Sequence, residues 1–411
     1  MINKINISIF LIILIVFIVS GNIAWLNPRP EFYVYRTVEF LPLFWQYNVD
    51  SSMELLSAAY FPNYYEVNGI RVSRPGYPIL VKLISLPIYS IANIFFPISI
   101  LISSGIAYLV LKFITYFVSA ILLYKLMVSY FKKNLAITCV IIVYFHYHSI
   151  FYATTFHTSE LAFIIPIFIF YFFHSLTTDY TYKKNVFFSL IVGYLILCRP
   201  DYAIYSTLLL ICFVKGYYKE TIFSFIIHLI PILLYILYLK IINIEFNHYG
   251  VQNAGYFTWL LDETEGKNIF ISILVVLNTY IKYFFNLISY YSIFFIFFIY
   301  SLFHHKRINS NLLYFTAIYI FFVWLQTFVT NRWGWGGYMV ADLTIIIIPL
   351  GIYGINRFAN NFMNFKKYTS LLVSLYCIIM IFSFVNLPWI HPFSQNYQKY
   401  DKEEFINLEV R

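Results

Sequence analysis

The sequence predicts an all-α polytopic membrane protein of about eleven transmembrane helices with a large first extracytoplasmic loop. Three observations predict it. Mean hydropathy is +0.75. Only 11% of the 411 residues are charged, against 61% hydrophobic. Lys and Arg recur in short connections between apolar runs, whereas nearly every carboxylate falls in the alternate connections. The basic clusters are Lys132-Lys133, Lys183-Lys184, Lys215 with Lys219, Lys306-Arg307, and Arg357 with Lys366-Lys367. Short connections rich in Lys and Arg stay on the cytoplasmic side, so the acidic connections face away from it.

Each element follows from that alternation. Ile7 to Trp25 follows Lys4 and reads as an anchor with its N-terminus inside. The apolar run is long for a cleavable signal peptide and no small-x-small site follows it. Further crossings fall at 106–130, 135–152, 158–176, 186–197, 202–214, 222–238, 284–303, 312–330, 340–355 and 368–385. Residues 387–411 then form an extracytoplasmic tail, and residues 1–411 a single membrane domain. Residues 83–104 are apolar enough to cross, but counting them would turn the downstream basic clusters outward. They are therefore read as helices at the outer interface.

The formal net charge of +9 is the cytoplasmic bias itself together with attraction to anionic membrane lipids. It calls for no nucleic acid. Cys139, Cys198, Cys212 and Cys377 lack metal-type spacing and read as small apolar residues in or beside the spans. Composition and spacing demand no cofactor and no bound metal, and leave a divalent cation open.

The longest connection, residues 27–105, is where chemistry is expected, because a long loop in a compact fold is usually functional. It carries Glu31, Glu39, Asp50, Glu54 and Glu66 with four arginines. Asp50-Ser51-Ser52-Met53-Glu54 opens an apolar helical stretch. Asp50 is a candidate N-cap, and Glu54 falls one turn later on the same face. Both are candidate general bases; capping alone also accounts for Asp50. Next comes Arg74-Pro75-Gly76-Tyr77-Pro78, a turn into a helix.

Four further sites stand out. Lys112 lies within an apolar run, where a cation faces a cavity or a partner or snorkels to the interface. Only fifteen residues separate Lys184 from Arg199, ~22 Å of helix, so Arg199 should sit below the outer surface. Asp201 is its nearest ion partner, and a lipid-linked phosphate is the alternative one. His157 and Glu160 stand at the outer end of the fourth crossing, and with His146 and His148 form a weak metal constellation. Asn331-Arg332-Trp333-Gly334 ends the ninth, where Trp333 could stack on a sugar or belong to an aromatic belt.

The order of an acid, a helix with small residues, and Arg-Pro-x-Tyr-Pro resembles the first loop of GT-C class integral membrane glycosyltransferases, similar to mannosyltransferase and aminoarabinose transferase-type enzymes. Residues 198–202, the Trp/Gly-rich 331–338 and Ile348-Pro349-Leu350 extend the resemblance over roughly 1–215 and 331–356. It implies transfer of a sugar from a polyprenyl-phosphate donor to a glycan, lipid or protein acceptor, with inversion, at the outer face of a bacterial cytoplasmic membrane. Asp50 matches the catalytic acid of the class. Arg74, Tyr77, Lys112, His157, Glu160, Arg199, Asp201, Arg332 and Trp333 match its substrate-binding positions. Two departures stand: Ser51 follows Asp50 where the class often has a second acid, leaving Glu54 or Glu39 as alternatives, and Asp342 stands near where relatives carry Arg. A polysaccharide polymerase using undecaprenyl-diphosphate repeats shares the many helices and large loop. A lipid or solute transporter should show duplicated halves or paired broken helices, and the sequence displays neither.

Overall fold

A computed structural model describes residues 4–26, 49–63, 74–153, 158, 161–178, 180–199, 209–214, 216–244, 268–304, 308–330, 343–362 and 373–379. Its secondary structure is helical throughout these residues. In hydrocarbon, backbone groups must be satisfied within the chain, and a helix does this locally. Among the described residues, four helices are long and apolar enough to cross a membrane: α1 (Lys4–Leu26), α3 (Gly76–Phe95), α4 (Ile100–Tyr130) and α10 (Tyr218–Ile241). The others are α2 (Val49–Ala59), α5 (Lys133–Tyr144), α6 (Tyr147–Ala153), α7 (Leu161–Thr178), α8 (Tyr182–Cys198) and α9 (Leu210–Val214). The chain continues through α11 (Ile269–Tyr291), α12 (Ile293–Phe303), α13 (Ser310–Thr330) and α14 (Thr344–Phe362).

α1 packs along α4 through Phe10 and Phe17, whose rings meet Phe113 at 5.4 and 5.3 Å. Its buried stripe is Ile9, Ile13, Val16 and Ser20, while Ile7, Leu11, Ile15 and Ile18 are exposed. An exposed apolar stripe of this length is the face a membrane helix gives to lipid.

Two pairs of helices run parallel. Asn185 of α8 reaches Glu220 and Ser224 of α10, Gly193 abuts His228, and Leu197 packs with Tyr235 and Leu239. Likewise Gly351 and Gly354 of α14 abut Phe294 and Phe297 of α12, and Arg357 donates to the His304 carbonyl at 3.0 Å. Parallel neighbours oblige the chain between them to return to the starting end, which is the local alternation expected from the basic clusters.

Of those clusters, the described members Lys132-Lys133, Lys183-Lys184, Lys219 and Arg357 stand at one end of the bundle. Phe131, beside Lys132, stacks on Tyr353 of α14 at 5.5 Å. Tyr130 meets His174, near the end of α7, at 3.0 Å, and Arg357 joins the end of α12.

The boundaries differ from expectation in three places. The predicted crossing at 135–152 is two short helices, interrupted at Phe145–His146; α5 has 12 residues, ~18 Å of rise, short of a ~30 Å core. The crossing predicted at 284–303 is divided at Ser292, whose φ is 47°. Its first part starts fifteen residues early, at Ile269, capped by Asn268, whose side chain accepts from the Phe270 N–H at 3.0 Å. The two interruptions meet: His146 donates from Nε2 to the Tyr290 carbonyl at 3.3 Å, and its ring lies 4.5 Å from that of Tyr290. Paired broken helices, which the sequence does not display, are therefore present. The described residues show four helices long enough to cross and do not extend to a count of eleven.

The third difference concerns 83–104. α3 covers 76–95, and a bend at 96–99 leads straight into α4. Asn93 brackets the bend, accepting from the Ile98 N–H at 3.2 Å, and Ser99 caps α4 by accepting from the Ile102 N–H at 3.1 Å. A helix lying alongside α4 would bring Tyr77 opposite Val118. Instead Tyr77 lies 5.3 Å from Tyr108, only ~12 Å along α4 from its start. The first turn of α3 therefore meets α4 about two turns from its start, rather than in the register of a close antiparallel hairpin. Its buried residues lie in the first half; Ile91, Ile94 and Phe95 are exposed.

Candidate functional site

Three sequence segments converge at the end of the bundle opposite the basic clusters. The first is α2. Its buried face carries Glu54, Leu55, Ser57, Ala58 and Ala59, and it packs on α3 and α4. Small residues at 57–59 let the helices approach closely. Lys82 of α3 donates to the Ala59 carbonyl, supplying a cation where the helix dipole is negative. Asp50 is the second residue of α2, since the helix starts at Val49; it belongs to the first turn rather than to the cap position. Only the backbone of Asp50 is described. Glu54, one turn on, is fully buried.

The second segment is the start of α3. Pro75 precedes the helix with φ −78°, and the Ile79 N–H closes the first turn on the Pro75 carbonyl at 2.9 Å. Pro78 is tolerated in that turn because its missing N–H would have no intrahelical partner there. Arg74 is half-buried and Tyr77 buried.

The third is the end of α8, where Cys198 and Arg199 are 1% exposed. The Arg199 N–H bonds the Leu195 and Ile196 carbonyls at 3.1 and 3.0 Å, closing the helix. This segment and the start of α3 touch at Gly76. A Cβ on Gly76 would strike Cys198 Sγ and lie 2.7 Å from the Cys198 backbone nitrogen. Tyr194, one turn before Cys198, donates its hydroxyl to the Gly76 carbonyl at 2.7 Å. The two Arg-Pro motifs, 125 positions apart in sequence, are thus fastened together.

α4 supplies the floor. Ser104, Tyr108, Lys112 and Tyr116 are spaced four apart and all fully buried. Lys112 Nζ lies 5.6 Å from the centre of the Tyr108 ring and donates to the Tyr152 carbonyl at 2.7 Å. Tyr116 donates to the Ser149 carbonyl at 3.0 Å. These two side chains satisfy carbonyls of α6, a seven-residue helix whose last carbonyls have no intrahelical donor. Lys112 therefore serves as a helix clamp, and it is buried rather than snorkelled. From Tyr108 to Phe131, at the basic end, is 23 residues, ~34 Å of helix, about the thickness of a hydrocarbon core.

Of the predicted site residues, Tyr77 and Lys112 both meet Tyr108, Arg74 and Arg199 adjoin the Gly76–Cys198 contact in sequence, and Glu54 lies on the buried face of α2, which packs on α3 and α4. His157, Glu160, Asp201, Arg332 and Trp333 lie outside the described residues, as do Glu39, Asp342 and the tail 387–411. Among the described residues the fully buried Lys, Arg, Asp and Glu side chains are Glu54, Lys112 and Arg199.

Sequence reasoning overlooked Tyr108 and Tyr194. The first was legible in the four-residue spacing of polar side chains through an apolar run; nothing local marks the second. Of the metal constellation, His146 is described, and its Nε2 is engaged by the Tyr290 carbonyl. No group of three metal-ligating side chains occurs among the described residues. No protein-family model, curated protein or solved structure matches the chain.

Proposed function

We propose that this chain is an integral membrane glycosyltransferase of about eleven crossings, working at the extracytoplasmic face. It moves a sugar from a polyprenyl-phosphate donor to a glycan, lipid or protein acceptor. One observation carries the reading: the Arg74 and Arg199 motifs are fastened through Gly76 and Cys198, with the acid-bearing helix α2 packed on the same α3. Sidedness supports it, because this junction lies about a membrane thickness from the end where the basic clusters gather. The contact of Tyr77 with Tyr108, near the start of α4, suits an outer interfacial helix.

In this mechanism Asp50 or Glu54 takes the proton of the acceptor hydroxyl as general base. The freed oxygen attacks the anomeric carbon through an oxocarbenium-like state, inverting it in a single displacement. The bond from that carbon to the phosphate oxygen breaks, and its electron pair leaves with the prenyl phosphate. Arg199 and Arg74 balance the developing charge in a site where little water competes. A phosphate leaving group needs no protonation, so one carboxylate and fixed cations suffice.

The test is label transfer by the purified full-length protein from a panel of radiolabelled prenyl-phosphate monosaccharides. Transfer by the wild type, abolished in Asp50→Asn or Glu54→Gln at unchanged expression, is the expected result. Wild-type rates in both variants would reject the base assignment.

One observation favours a second reading, a lipid or solute transporter: the interruptions at His146 and Ser292 meet, as discontinuous helices do around transported ions. Uptake or flipping by reconstituted protein without sugar transfer would select it.

A further inference from the structure

Ser292, the residue between α11 and α12, holds a backbone conformation that suits glycine. Its φ is 47° and its ψ −120°, where a Cβ is crowded. Its N–H ends α11 on the Ile288 carbonyl at 2.7 Å, and its carbonyl starts α12 by accepting from the Phe295 N–H at 3.1 Å. Strain of this kind persists only where neighbouring contacts over-determine it, and it gathers at switch segments.

The two helices joined at Ser292 are attached to the bundle very differently. α12 is fixed along its length. Gly351 and Gly354 of α14 abut Phe294 and Phe297, Ser301 donates to the Leu350 carbonyl at 2.7 Å, and the Phe294 ring meets that of Tyr376 at 5.0 Å. α11 is gripped at its last turn. His146 donates to the Tyr290 carbonyl, its ring lies 4.5 and 5.6 Å from those of Tyr290 and Tyr291, and the Tyr291 hydroxyl meets Thr344 at 3.0 Å. Farther back, Tyr280 touches Trp324 of α13 at 5.7 Å and Phe284 touches Phe295 at 5.6 Å. Phe270, Ile273, Leu274, Leu277, Ile281 and Phe285 are exposed.

We propose that α11 is a hinged arm, which turns about Ser292 and is held closed by a catch made of His146 and Thr344. The arm belongs to the fold whichever reaction the chain performs. Hydrogen bonds between membrane helices are individually weak, so a catch of this kind opens reversibly. Closed, the arm buries His146, which is 1% exposed, and its Nδ1 has no partner among the described residues. With the hydrogen on Nε2, that nitrogen presents a lone pair, so opening the arm uncovers a hydrogen-bond acceptor. α12 has 11 residues, ~16 Å of rise, which puts the hinge about halfway through a ~30 Å core. The catch also bears on the candidate site. α6 begins at Tyr147, next to His146, and its Ser149 and Tyr152 carbonyls are held by Tyr116 and Lys112. Release of His146 therefore frees the start of the helix whose other end Lys112 clamps.

The test measures the arm directly in full-length protein in lipid nanodiscs. Leu277→Cys on α11, 50% exposed, and Phe303→Cys at the end of α12, 81% exposed, carry spin labels in a chain otherwise freed of thiols. Leu277 stands fifteen residues from Ser292, ~22 Å along the helix, so a small rotation at the hinge becomes a large displacement of the label. Pulsed distance measurement should give a main population at the closed distance and a second, minor one, about 10% or less. His146→Ala should enlarge the second population about tenfold. His146→Phe, which keeps a ring and loses the donor, should enlarge it less, and it carries the test if the alanine variant does not fold. The two Ser292 variants should move in opposite directions. Ser292→Gly adopts the same backbone without strain and shrinks the second population, whereas Ser292→Val resists that backbone and enlarges it. A single distance shared by the wild type and every folded variant means a fixed kink and overturns the arm. A second population indifferent to both Ser292 substitutions overturns the hinge, and one indifferent to both His146 substitutions overturns the catch.

Discussion

Gly76 carries the junction between the two Arg-Pro motifs because it has no Cβ. An added methyl would meet not only the Cys198 sulfur but also its backbone nitrogen and Cα, at 2.7 and 2.9 Å. Gly76→Ala should therefore separate α3 from α8 and remove transfer activity, and Cys198→Ala in the same chain should not restore it, since the backbone obstacle remains. Recovery in that double variant, measured by label transfer at matched expression, would locate the clash in the thiol alone. Lys112 makes a contrasting case. Its ammonium is a donor to a buried carbonyl of α6, so Lys112→Met leaves that acceptor unsatisfied at a cost of ~1–3 kcal/mol. The expected result is a lower thermal midpoint of the purified protein, with activity falling in step with the folded fraction. Lost activity at unchanged stability would assign Lys112 to the substrate instead.

At the scale of elements, the α8–α10 pair is held by a buried amide. Asn185 Oδ1 accepts from Ser224 at 2.7 Å and Ser189 at 3.2 Å, and its Nδ2 donates to the Glu220 carbonyl at 3.4 Å. Polar contacts between membrane helices contribute ~0.6 kcal/mol on average and at most ~1.7 kcal/mol. Asn185→Leu should weaken the pair by about that much, seen as a reduced midpoint of denaturation in mixed micelles. A midpoint unchanged from wild type would mean that the close approach of Gly193 to His228 and the packing of Leu197 on Tyr235 and Leu239 hold the pair without the amide. Helix existence was legible in the sequence wherever apolar runs are bounded by charge, as α1, α4 and α10 are. The interruptions were not. Val143-Tyr144-Phe145-His146 and Tyr291-Ser292-Ile293 contain neither glycine nor proline, and what holds them open is their contact with each other. The early start of α11 was legible, since Asn268 before an apolar run is an N-cap pattern. The site was half legible: Glu54, Arg74, Lys112 and Arg199 stand out as rare charges among apolar residues, but their meeting depends on Gly76 and Tyr194, whose partners lie far away in sequence.

For the whole molecule, the decisive relation is that between α3 and α4. α4 has 31 residues, ~46 Å of rise, enough to cross a ~30 Å core with a turn or more to spare at either side. Its end adjoins Lys132-Lys133, beside the other basic clusters, so its start must face the opposite compartment. Tyr77 lies against Tyr108, so the start of α3 is held near that same end of α4, although α3 is itself long enough to cross a membrane. A single cysteine replacing exposed Pro97, in a chain otherwise freed of thiols, should react with a membrane-impermeant maleimide applied outside intact cells. A cysteine replacing Lys132 should react only after the membrane is opened. The reversed pair of results would turn the molecule over, placing the Gly76–Cys198 junction inside the cell. Two positions reacting from the same side would instead mean that α4 does not cross, and that its length is used within the plane of the membrane.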